Sequence, residues 1–220
     1  MRSILQAGID EALPTHESVY RTLRRAILHG EMPPGNALTL RGIAEQLSVS
    51  MTPAREAVRR LVAERALEMT PSGRILVPEP DAARLDELFQ ARLLLEPELA
   101  RRAGGAANPA LAQALAAIDA RIDDSLKSGD APGYIRENTD FHTVLYQAAG
   151  APALMALVES VWLQTAPMMR RVYGRLGTQG LVDYHEAAIE ALTAGDAEAL
   201  ARAIHDDVAQ GRRLMQQAGG

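Results

Sequence analysis

The sequence contains no cysteine, which excludes disulfide bonds and metal sites built on thiolates. Aromatic residues make up only 4% of the chain, too few for a typical β-sandwich, whereas 47% of its residues are hydrophobic. No apolar run approaches the roughly 18 residues of a membrane-spanning helix, and the N-terminus lacks the hydrophobic segment of a secretory signal. These absences predict a mostly α-helical protein that makes no membrane contact and works in the cytoplasm.

Positive charge is scarce over the whole chain but is not evenly spread. The formal net charge is −5, which by itself disfavours nucleic acid as a partner. Residues 1–78, however, carry ten Arg against eight Asp and Glu, whereas residues 79–220 carry thirteen Lys and Arg against twenty acidic residues. A DNA-binding protein needs a basic face and not a basic whole chain, so the first third remains a candidate DNA-binding region.

The first 78 residues begin with an arm at 1–15 that has no clear periodicity and is expected to be flexible. Apolar residues then recur with helical spacing three times, and two short extended runs follow. The helices are predicted at 16–29, at 40–47 and from about 53 onward, and the extended runs at 68–70 and 74–77. Pro71-Ser72-Gly73 between the two runs is typical of a hairpin turn. This order of elements predicts a winged helix-turn-helix domain over residues 16–78.

The third predicted helix has an apolar face and an opposite polar face. The apolar face carries Ala54, Val58, Leu61 and Val62. Thr52, Arg55 and Arg59 fall together on the polar face at i, i+3 and i+7 spacing. Pro53 suits the first position of a helix, and Thr52 before it can cap the free N–H groups. A hydroxyl and two arginines on one open face suit a DNA major groove, although an ordinary amphipathic surface helix has the same pattern.

The run ILHGEMPPGNALTLRGIAEQLSVSMTPAREAVRRL, residues 27–61, resembles the DNA-binding domain of the GntR family of bacterial transcriptional regulators. The resemblance includes the Pro34-Gly35 turn and the Ser50-x-Thr52-Pro53-x-Arg55-Glu56-Ala57 block. It implies that the DNA-contacting positions are Arg41, Ser50, Thr52, Arg55, Arg59 and the hairpin turn around Gly73. The family usually has a basic residue where this chain has Met51. Methionine offers only apolar contact, for instance to a thymine methyl group, which implies an operator preference of its own.

Residues 79–220 have helical periodicity, and the segment Val77-Pro78-Glu79-Pro80 is rigid enough to mark a domain boundary. The breaks between periodic stretches predict about six helices, and hence an all-α bundle. The segments LDELFQARLLLEPELARRA, ENTDFHTVLYQAAGAPAL and YHEAAIEALTAGDAEALARAIHDDV resemble, in this order, the FCD effector-binding domain of FadR-type GntR regulators. The resemblance implies that this domain binds an effector and pairs two chains.

Four of the predicted helices carry polar residues within an apolar stripe. These residues are Arg92, Asn138 with His142, His185 and His205. An unpaired buried polar group costs on the order of 1–3 kcal/mol, so several such residues are expected to meet in one polar cavity. Any single one of the histidines could instead be a core imidazole that is hydrogen-bonded to the backbone. Asn138 and His142, four residues apart on one helix, can converge on one ion.

FCD domains that bind metal use an Asp/Asn-x-x-Phe-His segment and two later histidines. The resemblance therefore assigns the metal ligands to Asn138, His142, His185 and His205, with zinc or nickel as the suitable ion. Because Asn138 supplies no charge, the carboxylate of the effector could provide the missing anion, with Arg92, His142, His185 and His205 as its binding residues. Arg92 would bind this carboxylate through two N–H groups of its guanidinium, in a bidentate arrangement. Alternatively, Arg92 forms an intrahelical ion pair with Glu96.

The sequence thus predicts a transcriptional repressor that binds a palindromic DNA operator as a homodimer and responds to a small carboxylate metabolite. Two alternatives stay open. Three histidines with an open coordination position are also typical of a metal-dependent enzyme. No acidic residue occupies an evident general-base position, however, so no catalytic residue is predicted. The second alternative is a DNA-binding protein without an effector, in which the helical domain serves only for dimerisation.

Overall fold

The computed structural model of the chain describes residue 13 and residues 15–35, 37–176 and 181–218. Most of these residues are helical and three short strands occur among them, which confirms the predicted mostly α-helical fold class. Apart from residues 13 and 15, the expected arm at 1–15 lies outside the described residues. None of the described helices is long and apolar enough to cross a membrane.

The N-terminal part contains three helices and a small antiparallel sheet. Their bounds are α1 (Thr15–Leu28), β1 (Leu38–Thr39), α2 (Leu40–Gln46), α3 (Met51–Ala63), β2 (Glu68–Met69) and β3 (Arg74–Leu76). β3 is the central strand and pairs with β1 on one side and with β2 on the other. β2 and β3 form the predicted hairpin, whereas β1 is an additional strand that places Leu38 opposite Ile75. The arrangement is the predicted winged helix-turn-helix.

The helices α2 and α3 begin in different ways. Thr39 caps α2, since its Oγ1 accepts a hydrogen bond from a backbone N–H three residues later at 3.0 Å. α3 begins at Met51 with Ser50 as its N-cap, so the predicted start near Pro53, with Thr52 as the cap, is wrong. Pro53 is the third residue of the helix. An N–H there would still lack an intrahelical partner, so the proline ring costs no hydrogen bond.

The C-terminal part is a bundle of six helices, as the periodicity predicted. These are α4 (Ala82–Gly104), α5 (Pro109–Ser128), α6 (Ala131–Gln147), α7 (Pro152–Leu176), α8 (Tyr184–Ala194) and α9 (Ala197–Ala218). Gly129 and Gly195 end α5 and α8 with φ of +70° and +71°, a conformation that glycine adopts without strain. The largest fully buried side chains of the bundle core are Tyr146, Phe89 and Phe141. The bundle thus has its own core.

The N-terminal domain packs against the bundle through α1. Leu163 of α7 is 1% exposed and belongs to the hydrophobic core of the N-terminal domain. Nearby, Arg24 of α1 donates a hydrogen bond from Nη2 to Glu159 of α7 at 2.8 Å. Gly30 follows α1 with φ of +65°, and a Cβ there would lie 3.3 Å from the Cβ of Arg170. These contacts fix the end of α1 on the bundle.

We expect Thr39→Ala to lower the free energy of unfolding by about 1 kcal/mol, because it removes the hydroxyl that caps α2. Ser50→Ala is the matched control, because Ser50 is the N-cap of α3 but its side chain makes no capping hydrogen bond. Chemical denaturation of both variants measures the difference. An equal loss of stability in the two variants would contradict the assignment of the cap.

Candidate DNA-binding surface and buried polar site

α3 presents its polar side chains to solvent. The predicted DNA-contacting residues on α3 and at its N-cap are all exposed, namely Ser50, Thr52, Arg55 and Arg59. Arg55 and Arg59 make no side-chain hydrogen bond or ion pair with the residues that the structure describes. Arg60, the next residue, differs, because it donates to Glu17 at 2.9 Å and lies over the ring of Tyr20 at 3.5 Å. Arg55 and Arg59 are therefore the cations of α3 that are available to a partner.

The other predicted DNA-contacting positions are also at the surface. Arg41 on α2 is exposed and pairs with Glu45 at 2.8 Å, an ion pair of the kind that solvent and salt weaken readily. Gly73 forms the exposed tip of the β2–β3 turn, with φ of +78°. Met51, the first residue of α3, is 39% exposed. The winged helix-turn-helix thus leaves each predicted contact position accessible.

A second group of functional side chains is buried in the bundle. His142 from α6, His185 from α8 and Asp207 from α9 offer ligand atoms that all lie within 4.8 Å of one another. His142 and His185 are 1% and 4% exposed, and the Asp207 side chain is 11% exposed. Next to them is a cavity of about 60 Å³, whose lining includes Asn138, His142 and Asp207. The two predicted histidines therefore do meet in the interior, together with a carboxylate.

The hydrogen bonds around His142 determine which ring nitrogen carries the proton. Glu96 is fully buried and accepts hydrogen bonds from Tyr146 Oη at 2.9 Å and from Trp162 Nε1 at 3.0 Å. Since the Tyr146 hydroxyl donates its one proton to Glu96, it accepts from Nδ1 of His142, which lies 3.1 Å away. In a neutral ring, Nε2 of His142 therefore carries a lone pair and no proton.

That lone pair faces another acceptor. Nε2 of His142 lies 3.1 Å from Oδ2 of Asp207, and it has no hydrogen-bond partner of suitable geometry among the described residues. Nε2 of His185 is likewise buried without such a partner. Buried polar atoms that lack a donor destabilise the fold unless a cation or a proton satisfies them. Two imidazole nitrogens and one carboxylate in this arrangement fit a divalent metal ion of the zinc type.

The ionisation states of these side chains suit metal binding as well. Burial raises the pKa of Asp207, but its polar contact with His142, the charges that His142 and His185 carry when protonated, and the charge of Arg92 together lower the pKa to about 2. When both rings are neutral, Arg92 is the cation that still favours the carboxylate form. Burial lowers the pKa of His185, so its ring is neutral at neutral pH. Carboxylate and neutral imidazole are the forms that act as metal ligands.

The expectation that His205 shares this cavity is wrong. Its side chain is 52% exposed and contacts Asp206 at 3.1 Å on the surface of α9. Asp207, two residues further along the helix, points into the bundle instead, because a step of two residues turns a helix by about 200°. Asp207 follows Leu200 by seven residues and Ile204 by three, so it continues their buried stripe. That spacing was the signal in the sequence that pointed to Asp207.

Arg92 and Asn138 both line the cavity, but they differ in their contacts and burial. Arg92 forms the intrahelical pair that was the alternative interpretation, with Nε 2.5 Å and Nη2 3.4 Å from the Glu96 carboxylate. Its Nη1 makes no hydrogen bond within the described parts of the chain. Asn138 is half-buried on α6, one turn before His142. The structure therefore brings together four of the five predicted cavity residues, and Asp207 takes the place expected for His205.

Two family models match the chain. The model described as "Bacterial regulatory proteins, gntR family" matches residues 15–77, and the FCD domain model matches residues 87–210. The two matches coincide with the winged helix-turn-helix and with most of the helical bundle.

Individual relatives are similar over nearly the whole chain. The HTH-type transcriptional regulator McbR of Escherichia coli (strain K12) is 27% identical over 90% of this chain and 91% of its own length. The gluconate operon transcriptional repressor of Bacillus licheniformis is 25% identical over 84% of this chain and 80% of its own length. The solved structure of E. coli McbR/YncC has a TM-score of 0.87 and 26% identity, and the match covers 93% of this chain and 98% of that one.

These proteins are regulators of transcription and not enzymes, which removes the alternative of a metal-dependent enzyme. The chain belongs to the gntR family of bacterial regulatory proteins, with a C-terminal FCD domain, and is a DNA-binding transcriptional regulator.

Proposed function

We propose that this regulator is a cytoplasmic, homodimeric repressor that binds a palindromic operator and is controlled by a small carboxylate held at a divalent metal ion. The observation that carries this proposal is the convergence of the buried acceptor atoms of His142, His185 and Asp207 beside a cavity. Two relatives whose names describe them as gluconate operon repressors support repression as the mode of regulation.

The ion would be held by His142, His185 and Asp207, with the Asn138 side-chain oxygen as a further ligand, and zinc or nickel suits this donor set. When bound, the ion supplies positive charge and an open position for an oxygen of the effector. The hydrogen bond from Nδ1 of His142 to Tyr146 keeps Nε2 free for the ion.

Charge and size together favour a small monocarboxylate as the effector. Arg92 and Glu96 neutralise each other, so Asp207 and a divalent ion leave one positive charge, which a single carboxylate balances. Nη1 of Arg92 is available as a second contact for that carboxylate. A cavity of about 60 Å³ beside these residues favours a small ligand.

The contacts of α6 provide a route from the cavity to the DNA-binding domain. Asn138 lines the cavity, and Oγ1 of the next residue, Thr139, lies 3.3 Å from the carbonyl oxygen of Leu28. The Thr139 hydroxyl donates its proton mainly to the carbonyl oxygen of Ile135 at 2.8 Å, so this is a polar contact with the end of α1. Asp140 contacts Nε2 of His29 at 3.2 Å. Leu28 ends α1 and itself lines the cavity. A ligand that shifts α6 would therefore shift the end of α1, provided that it binds the two arrangements with different affinity.

The operator would be read by two copies of α3, one on each half-site, because a twofold dimer matches a palindrome. Arg55 and Arg59 would contact the DNA backbone or base edges, and Met51 at the start of the helix would contact a thymine methyl group. Arg41 and the wing around Gly73 would contact neighbouring phosphates.

We expect the metal-free protein to bind one zinc ion per chain, and His142→Ala and Asp207→Asn each to weaken this affinity by more than about tenfold. His205→Ala is the matched control and should bind zinc like the wild type, because His205 lies on the surface of α9. Competition with a chromophoric chelator measures the affinities. A wild type that binds no zinc, or a loss in His205→Ala instead of Asp207→Asn, would contradict the site.

In the zinc-loaded protein, small monocarboxylates such as acetate and lactate should raise the melting temperature by binding the folded state. The dicarboxylate succinate should have a smaller effect, because its second charge is not balanced in the cavity. Thermal unfolding in the presence of each acid measures the effect. If no acid changes the melting temperature or the operator affinity, the alternative of an effector-independent DNA-binding protein is favoured.

Arg55→Ala and Arg59→Ala should each weaken operator binding. If the arginine contacts a phosphate, the slope of log K against log salt concentration should fall by about 1. Arg60→Ala on the same helix is the control, because Arg60 is engaged with Glu17 and Tyr20 and should leave the slope unchanged. Fluorescence anisotropy with labelled operator at several salt concentrations provides the slopes. If both Arg55→Ala and Arg59→Ala kept the wild-type operator affinity and salt slope, α3 would be ruled out as the helix that reads the operator (the reading helix).

A further inference from the structure

His185 faces a second set of acidic side chains in addition to the cavity group. Its Nδ1 lies 3.8 Å from Oδ1 of Asp119 on α5 and 3.9 Å from Oδ1 of Asp183. The ligand atoms of these three residues lie within 4.8 Å of one another. The His185 ring is almost completely buried, and its Nε2 has no hydrogen-bond partner among the described residues. One imidazole thus lies between the group with His142 and Asp207 and a pair of carboxylates.

The two carboxylates differ in what else they bind. Asp183 is the N-cap of α8, and its Oδ1 accepts the backbone N–H groups of His185 and Glu186 at 3.0 Å and 3.1 Å. Asp119 does not cap a helix in this way: its Oδ1 is buried and has no hydrogen-bond partner among the described residues. Asp183 therefore holds the backbone at the start of α8, and Asp119 is the acceptor left for the ring.

The surroundings of Asp119 do not compensate its charge. Its neighbours Asp183, Asp123 and Glu186 carry charge of the same sign. A buried acceptor that lacks a donor and has acidic neighbours makes the folded chain less stable than it could be. Asp119 Oδ1 and His185 Nε2 are both buried without a partner in the described part of the chain, which indicates a functional constraint at this position.

We propose that Asp119 is a positioning residue for the metal site, whose carboxylate accepts the Nδ1–H of His185 and so directs Nε2 of the neutral ring to the ion. This inference rests on the metal site proposed above. Histidines that bind metals commonly donate their second N–H to a carboxylate, and loss of that partner lowers metal affinity by about 10- to 100-fold. Nδ1 of His185 and Oδ1 of Asp119 lie 3.8 Å apart, so the proposed hydrogen bond requires the two side chains to approach by about 1 Å when the ion binds.

Asp119→Ala tests the proposal in the full chain, with zinc as the probe. Zinc affinity should fall by about 10- to 100-fold, because the ring is no longer held in the ligating orientation. Asp119→Asn retains an acceptor oxygen without the charge, so its affinity should lie between those of the wild type and Asp119→Ala. Asp123→Ala is the control, since it removes a nearby charge from the same helix but no partner of His185. Its zinc affinity should stay within a factor of two or so of the wild type.

Two further measurements separate positioning from a structural role. The melting temperature of metal-free Asp119→Ala should equal or exceed that of the wild type, because the variant removes a buried acceptor that has no partner. With cobalt in place of zinc, the visible absorption spectrum should change in Asp119→Ala and not in Asp123→Ala. Wild-type affinity and spectrum in Asp119→Ala, or equal losses in Asp119→Ala and Asp123→Ala, would overturn the proposal. A lower melting temperature without metal would also overturn it. If the wild type itself bound no zinc, both this proposal and the metal site would fail.

Discussion

Buried acceptor atoms that converge without a donor determine what the helical domain can bind. The Glu96 carboxylate collects hydrogen bonds from Tyr146 and Trp162 and an ion pair from Arg92. Because Tyr146 donates to Glu96, His142 has to donate to Tyr146, and Nε2 of His142 is left to face Asp207. Burial keeps water away from these acceptor atoms. A metal ion bound between them would therefore accept their lone pairs without competition from solvent.

α6 gives this buried group a mechanical role, because one helix contributes to both the cavity and the domain contact. His142 belongs to the cavity, whereas Thr139 and Asp140 contact the end of α1. α1 packs in the same core as α3, and Leu163 of α7 completes that core. Because α6 contacts α1 and α1 packs against α3, a displacement of α6 would be transmitted to α3 through packed side chains. The proposed effector would therefore change the relative placement of the two reading helices in a dimer.

Much of this organisation could be predicted from the sequence, because apolar periodicity records which side of a helix is buried. It predicted the winged helix-turn-helix, the six-helix bundle and the burial of His142 and His185. His205 was assigned instead of Asp207 because it lies between Ala201 and Val208 and because the resemblance to metal-binding FCD domains implies a histidine there. Asp119 could not be identified from the sequence, since α5 carries several acidic residues and only its packing against α8 shows which one faces His185. Periodicity assigns a residue to a face of its own helix, but it does not identify the neighbouring helix.

The central claim, that occupancy of the bundle cavity controls the reading helix, is tested most directly by operator affinity with and without zinc. The measurement needs the wild type and His142→Ala, each stripped of metal and then titrated with labelled operator DNA in the absence and presence of zinc and a small monocarboxylate. We predict that zinc and the acid together change the operator affinity of the wild type by roughly 5- to 150-fold and leave that of His142→Ala unchanged. Equal operator affinities of the wild type under all these conditions, with zinc binding demonstrated in the same samples, would contradict the claim.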